Sequence, residues 1–334
     1  MGDASGLRDP QTRFRRRRLT KRRILKEIPP LRFGEGHECT LPAALAVAAQ
    51  AEYDDLMGSS GAAFTTAIDE REWDPLAATP RDAQTRRRMA RAAGVRFDPV
   101  DPPYDDDLRP LVLDRIREGV DARLPPLLLG VGGPEYGLLI GYDDAGPHFY
   151  ARTFFDDGDE PRRFGWEAFE GPERGALTFV DRGEAPDHAQ LAREGMDAGI
   201  AAGDDSERAL ASWSAALRDD ARWADARHAG TAAFADHAMR AVLVDKRRAA
   251  ARFLRSVRGR FASAPGGDLL RAAESFGYAA DAASKGGVGP FDASVAARFI
   301  DAGHRRAWAK SLDVVREHDR EGRAALAAAR GNIR

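Results

Sequence analysis

The only cysteine of the chain, Cys39, stands just ahead of a run with helical spacing, Leu41, Ala44, Leu45, Ala48 and Ala49. A thiol at a helix start has a physical meaning. The unpaired N–H groups and the helix dipole favour the thiolate, lowering its pKa and raising its reactivity. His37 and Glu38 precede it directly, and an imidazolium would push the same way. A free cysteine is equally a small buried hydrophobe, so two readings stand side by side, a thiol nucleophile and a packing residue. Nucleophilic chemistry would also need a base within hydrogen-bond reach and a third group to orient that base.

Other chemistry-bearing residues are dispersed. His148 opens a strand, and His188, His228, His237, His304 and His318 are scattered without metal-ligand spacing, so no metal or cofactor is expected. Gly58, Ser59 and Ser60 lie in the stretch Leu56–Phe64, which is too small and Gly-rich for a helix interior. It reads as a tight connection whose hydroxyls and backbone N–H groups could approach a ligand. It lacks the lysine and glycine spacing of a phosphate-binding loop or a dinucleotide fingerprint. Asp105, Asp106 and Asp107 suit a helix start, and the five tryptophans read as core or interface anchors.

A chain of 334 residues exceeds what one core usually organises, so two domains are expected. A single cysteine forms no internal disulfide, and the basic N-terminus has no apolar stretch of the secretory type, so the expected location is cytoplasmic. The segment from Leu124 to Tyr142 is interrupted by Glu135, prolines and glycines and reads as buried strands, not a membrane span. The net charge of −2 hides a basic run from Arg13 to Lys26. With only Phe14 to stack on bases, that run reads as part of a disordered, solvated leader over residues 1–27, not as a nucleic-acid arm.

The elements expected to position Cys39 follow. Residues 28–183 read as an α+β domain. Thr40 sits at the N-cap of the cysteine's helix, with Pro42 in its first turn. Further helices are expected over residues 81–93 and from Leu108 to Glu118. Strands are expected at Pro126–Val131, Tyr136–Tyr142, His148–Phe155 and Ala176–Val180, consecutive and therefore antiparallel. Residues 187–330, rich in Ala, Arg, Glu and Leu, read as an all-helical bundle of about five helices packed on the first domain. Its breaks are expected near Ala202-Gly203, Pro265-Gly267 and Gly286-Gly287, with a last helix from Phe291 to Ala328.

The segment Gly36-His37-Glu38-Cys39-Thr40 ahead of an Ala/Leu helix resembles the start of papain-like domains. The run Glu135-Tyr136-Gly137-Leu138-Leu139-Ile140-Gly141-Tyr142-Asp143-Asp144 is similar to the histidine-bearing strand of the bacteriocin-processing cysteine peptidases. It also resembles the matching strand of the butirosin biosynthesis acyltransferase H family, to which Leu56–Phe64 and the helical half look closer. The resemblance implies a papain-like fold in which a cysteine at a helix start faces the beginning of a strand. It also implies acyl transfer or amide hydrolysis on a small-molecule or peptide substrate.

This sequence departs from that pattern where the chemistry sits. The histidine position holds Glu135, beside Tyr136. The orienting position falls at Arg152 and Thr153, and Phe33 stands where a glutamine would supply an oxyanion donor. Three readings follow. In one, a degenerate relative binds a small molecule or peptide in the cleft, lined by Glu38, Gly58, Ser59, Ser60 and Tyr136, with Cys39 as a wall residue. In another, a rebuilt site uses Cys39 as nucleophile and His37 or Glu135 as base. In the third, the protein is a scaffold that binds a partner protein through its helical half.

Overall fold

The computed structural model describes residues 21–146, 148–170, 175–261, 266–286 and 291–333. The N-terminal half builds a seven-stranded antiparallel sheet. Its strands are β1 (Arg22–Ile24), β2 (Val95–Val100), β3 (Leu127–Leu129), β4 (Tyr136–Asp143), β5 (His148–Arg152), β6 (Arg162–Gly165) and β7 (Ala176–Arg182). The spatial order is β2-β7-β3-β4-β5-β6. Because β5 takes one edge of β4, β3 and β1 share the other, β3 opposite Tyr136–Leu138 and β1 opposite Gly141–Asp143.

Residues Tyr136 to Tyr142 of β4 are all buried, and the strand contacts both α1 (Thr40–Ala49) and α4 (Leu108–Asp121). A strand covered on both faces loses the alternation of a half-exposed one, which explains its continuous apolar run. Gly141 is required here, since a Cβ on it would sit 2.6 Å from the Arg23 carbonyl of β1.

Residues 21–27 were expected to belong to the disordered leader, yet residues 22–24 are strand. Lys21 and Arg23 both pair with Asp121 of α4, and Tyr142 donates to the same carboxylate at 3.1 Å. The charges read as a repelling run find their counter-charge on a helix about a hundred residues away. The rest of the leader, residues 1–20, lies outside the described residues.

The stretch expected to be a tight connection is helix α2 (Tyr53–Ser60), followed by a 3-10 turn at Ala62–Phe64. Its small residues serve close packing. A Cβ on Gly58 would fall 2.0 Å from the Phe253 ring of α7 (Ala226–Val257), and one on Gly195 of α5 (His188–Ala201) would fall 2.1 Å from the Gly58 carbonyl. Helix α2 is therefore wedged between two helices of the C-terminal half. α3 (Ala83–Ala92) completes the N-terminal helices.

The C-terminal half continues with α6 (Gly203–Arg218), α8 (Gly266–Ser284), α9 (Ala293–Ile300) and α10 (Ala302–Asn332). The single last helix expected from Phe291 is instead two, because Asp301 adopts an extended backbone and its carboxylate accepts the His304 N–H at 3.0 Å, starting a new helix. Another interruption not expected from sequence lies at Asp220–Trp223, a 3-10 turn between α6 and α7. The expected breaks at Pro265 and Gly287 lie outside the described residues. One hydrophobic core runs through both halves.

Buried charge stitches the halves together. Arg247 of α7 forms a bidentate pair with Asp319 of α10 at 2.7 and 2.6 Å, both side chains fully buried. The same guanidinium donates to the Ala63 and Thr65 carbonyls and to the Thr66 hydroxyl. Deeper in the helical half, Arg240 pairs with Asp236 at 2.7 Å, with its guanidinium 5.4 Å from the ring centres of both Trp213 and Trp308.

Candidate functional site

Cys39 is the N-cap residue of α1, extended at φ −88° and ψ 102°, and its side chain makes no capping bond. The thiol is wholly buried. Something else occupies the start of the helix. The Asp245 carboxylate, from the middle of α7, accepts the Glu38 N–H through Oδ2 at 3.0 Å, and the Cys39 N–H also favours its charged form. The Tyr53 hydroxyl, at the first residue of α2, donates to the same oxygen. Asp245 Oδ1 is buried and has no partner among the described residues.

The electrostatics follow from that packing. Burial pushes the Cys39 thiol far above its ordinary value, and the charges of Asp245 and Glu135 push the same way. Lys246 and a hydrogen bond from Tyr53 oppose them. Burial likewise raises Asp245 to about 7, with Glu38 adding to the rise and the donors from Tyr53 and the backbone holding it down. Lys246 is also buried, its Nζ donating to the Ala78 carbonyl at 2.6 Å, and burial lowers its pKa. A helix terminus that could have charged the sulfur is committed to a carboxylate, and a second negative charge beside it is disfavoured.

The start of β4 does lie against the start of α1. Thr40, next to Cys39, donates its hydroxyl to Glu135 Oε2 at 2.6 Å, and the Tyr136 N–H reaches the same hydroxyl at 3.4 Å. Glu135 is half-buried, and burial raises its pKa against the Thr40 bond and the nearby Arg81. Glu38 is half-buried too, its Oε1 accepting the Gly34 N–H at 2.8 Å, with its pKa raised chiefly by burial.

His37 is exposed, and its ring lies 4.2 Å from that of Tyr53 at 33°. It makes no hydrogen bond among the described residues, and burial is the first cause of its lowered pKa. Gly58, Ser59 and Ser60 are buried within α2. Ser60 donates to the Met57 carbonyl and accepts the Ala62 N–H, a local bond pattern at a helix end. Tyr136 is buried. Phe33, at the expected oxyanion position, is exposed and packs on Phe154 and Phe155 at ring distances of 4.9 and 5.6 Å.

Asp245 and Tyr53 were not singled out from sequence. A signal existed for the first. Asp245-Lys246-Arg247 interrupts a helix whose neighbours on both sides are buried apolar residues, Val242 to Val244 and Ala249 to Ala251. Three charges there must be buried with partners. Among the described residues there is no group of three or more His, Cys, Asp or Glu that could hold a metal ion, and no helix is long and apolar enough to cross a membrane.

Fold and site define an α+β protein, with an antiparallel sheet in its N-terminal half and a helical C-terminal half. No protein-family model matches the chain, and no curated protein matches it significantly.

Proposed function

We propose that this chain is a papain-like protein of the butirosin-H type in which the thiol has ceased to act as a nucleophile. In this reading the surface where the start of α1 meets the start of β4 binds a small molecule or peptide. The observation that carries it is the complete burial of Cys39 behind Asp245 and Tyr53, with a carboxylate bonded to the backbone N–H just before the helix. Such a thiol is a poor nucleophile. The groups that remain near solvent are His37, Glu38, Glu135 and the exposed rings of Phe33 and Phe155. Half-buried carboxyl groups beside aromatic faces suit a ligand carrying hydrogen-bond donors or positive charge.

The test is a titration of the full chain with short peptides and primary amines, followed by amide chemical shifts and by intact mass. Shifts centred on Glu38, Glu135 and Tyr136 that survive Cys39→Ala and weaken about tenfold or more in Glu135→Gln support the reading. A covalent acyl adduct on Cys39, formed from a peptide or thioester substrate, would overturn it in favour of acyl transfer.

A further inference from the structure

The carboxylate that sits against the backbone beside Cys39 comes from the other half of the chain. Asp245 lies 207 positions beyond Glu38, on the central helix of the C-terminal half, and makes no ion pair among the described residues. Its charge rests on the Glu38 N–H, the Tyr53 hydroxyl and the N-terminus of α1, while Oδ1 is left buried and unmatched. An orphaned oxygen of that kind costs free energy that a packing role alone would not require.

The charged groups around Asp245 do not neutralise it. Glu38 repels it. Lys246 directs its ammonium to the Ala78 carbonyl, and Arg252 is engaged by Asp54 at 2.6 and 2.7 Å. Tyr53 and Cys39 carry no charge while protonated, and both are held protonated by burial. Lys246 and Arg252 attract the anion without pairing with it, so its direct contacts are the Tyr53 hydroxyl and the backbone at the positive end of the cysteine's helix, which a thiolate would otherwise use.

We propose that α7 is a latch on Cys39: Asp245 holds the positive end of α1, and neutralising or withdrawing that carboxylate makes the buried thiol reactive. Burial is the larger part of the suppression, the contact between the halves adds the charge of Asp245 to it, and anything that shifts α7 away from α1 would relieve both. This inference stands whether or not the surface at the starts of α1 and β4 binds a ligand.

Cys39 is the only cysteine, so alkylation of the full chain with iodoacetamide reads this site alone. The wild type should react slowly between pH 7 and 9, the range about the ordinary thiol pKa. Asp245→Asn keeps the shape and the acceptor for the Glu38 N–H. It should react at least about tenfold faster and move the midpoint of the rate–pH profile down by about one unit or more. Leu254→Ala, on the same helix and fully buried, controls for simple loosening once the two variants are compared at equal stability in urea. Equal rates and midpoints for those two, or an Asp245→Asn no faster than wild type, would refute the latch. Should Asp245→Asn fail to fold, Asp245→Ser, which also removes the charge and keeps an oxygen acceptor, takes its place: it should react faster than both wild type and Leu254→Ala, and a rate no faster than either would overturn the proposal.

Discussion

The Asp245 carboxylate accepts the Glu38 backbone N–H at 3.0 Å, so the residue just ahead of the cysteine-bearing helix is tied to the opposite half of the chain. Fold, electrostatics and the state of the thiol all meet in this contact. A helix needs its first N–H groups satisfied. Cys39 makes no capping bond to them, and Asp245, bonded to the N–H just ahead of them, sets a negative charge near the sulfur.

The pH dependence of stability follows with a definite sign. Asp245 titrates near 7 in the folded chain, against about 3.9 when unfolded. Between those values the native state holds a proton that the unfolded state has released. Stability from this group is therefore greatest below about pH 4 and falls as pH rises to about 7. At about 1.4 kcal/mol per unit the fall is a few kcal/mol at most. Glu38 and Glu135, also raised, add slope of the same sign. Urea unfolding of wild type and Asp245→Asn across pH 4 to 8 should show the slope much reduced in the variant; parallel curves would contradict the assignment.

The close approach of α2 to its neighbours gives a second expectation. Gly58→Ala places a methyl group inside the Phe253 ring, and Gly195→Ala places one against the Gly58 carbonyl, which cannot move aside. Overpacking of this kind costs roughly 1–3 kcal/mol, and more where the obstacle is backbone. Gly195→Ala should therefore lower the thermal midpoint more than Gly58→Ala. Gly158→Ala, with nothing within 4 Å, should leave it unchanged.

Those glycines also show what the sequence conceals. The hairpin β4–β5 was legible because a strand covered on both faces is a continuous apolar run ended by turn residues. Helix α2 was not, since Gly58, Ser59 and Ser60 look like a loop until the helices that press on them are known. β2 was missed because Arg96, Asp98 and Pro99 spoil the alternation; it is an edge strand paired only with β7, where such residues are tolerated. At the site, the expectation that the start of the cysteine's helix faces the strand of Glu135 came from the resemblance alone, and Thr40, read as a cap, turns out to be the residue that bonds Glu135. Asp245 could not follow from either, because its partners lie some two hundred residues away.

The buried pair Arg247–Asp319 yields a third expectation. Removing one partner from a buried ion pair leaves an uncompensated charge and costs about 3–5 kcal/mol. Arg247→Met should therefore be severely destabilising, the more so because it also strips the donor from the Ala63 and Thr65 carbonyls. Asp319→Asn should be at least as severe, since Arg323 also reaches Asp319 at 3.2 Å and two buried guanidinium groups then lose their shared counter-charge. Chemical denaturation should show both variants far less stable than wild type; an Asp319→Asn as stable as wild type would contradict this.

The last expectation concerns the halves as units. A fragment of residues 21–183 retains the sheet with α1 to α4, but loses Phe253 against Gly58, Arg247 against the Ala63–Thr66 backbone, and Asp245 at the head of α1. It would leave the apolar side of α2 in water together with three backbone carbonyls, those of Ala63, Thr65 and Ala78, whose donors came from α7. The exposed apolar surface costs about 25 cal/mol per Å², and the carbonyls exchange buried charged donors for water. The fragment should accordingly show poorly dispersed amide spectra and bind a hydrophobic dye, and its Cys39 should alkylate at the rate of a free thiol. Adding residues 184–334 in trans should restore both dispersion and protection of the sulfur. A fragment that folds alone with Cys39 still protected would mean that the sheet and α1 bury the thiol without α7, and that Asp245 is incidental to its silence.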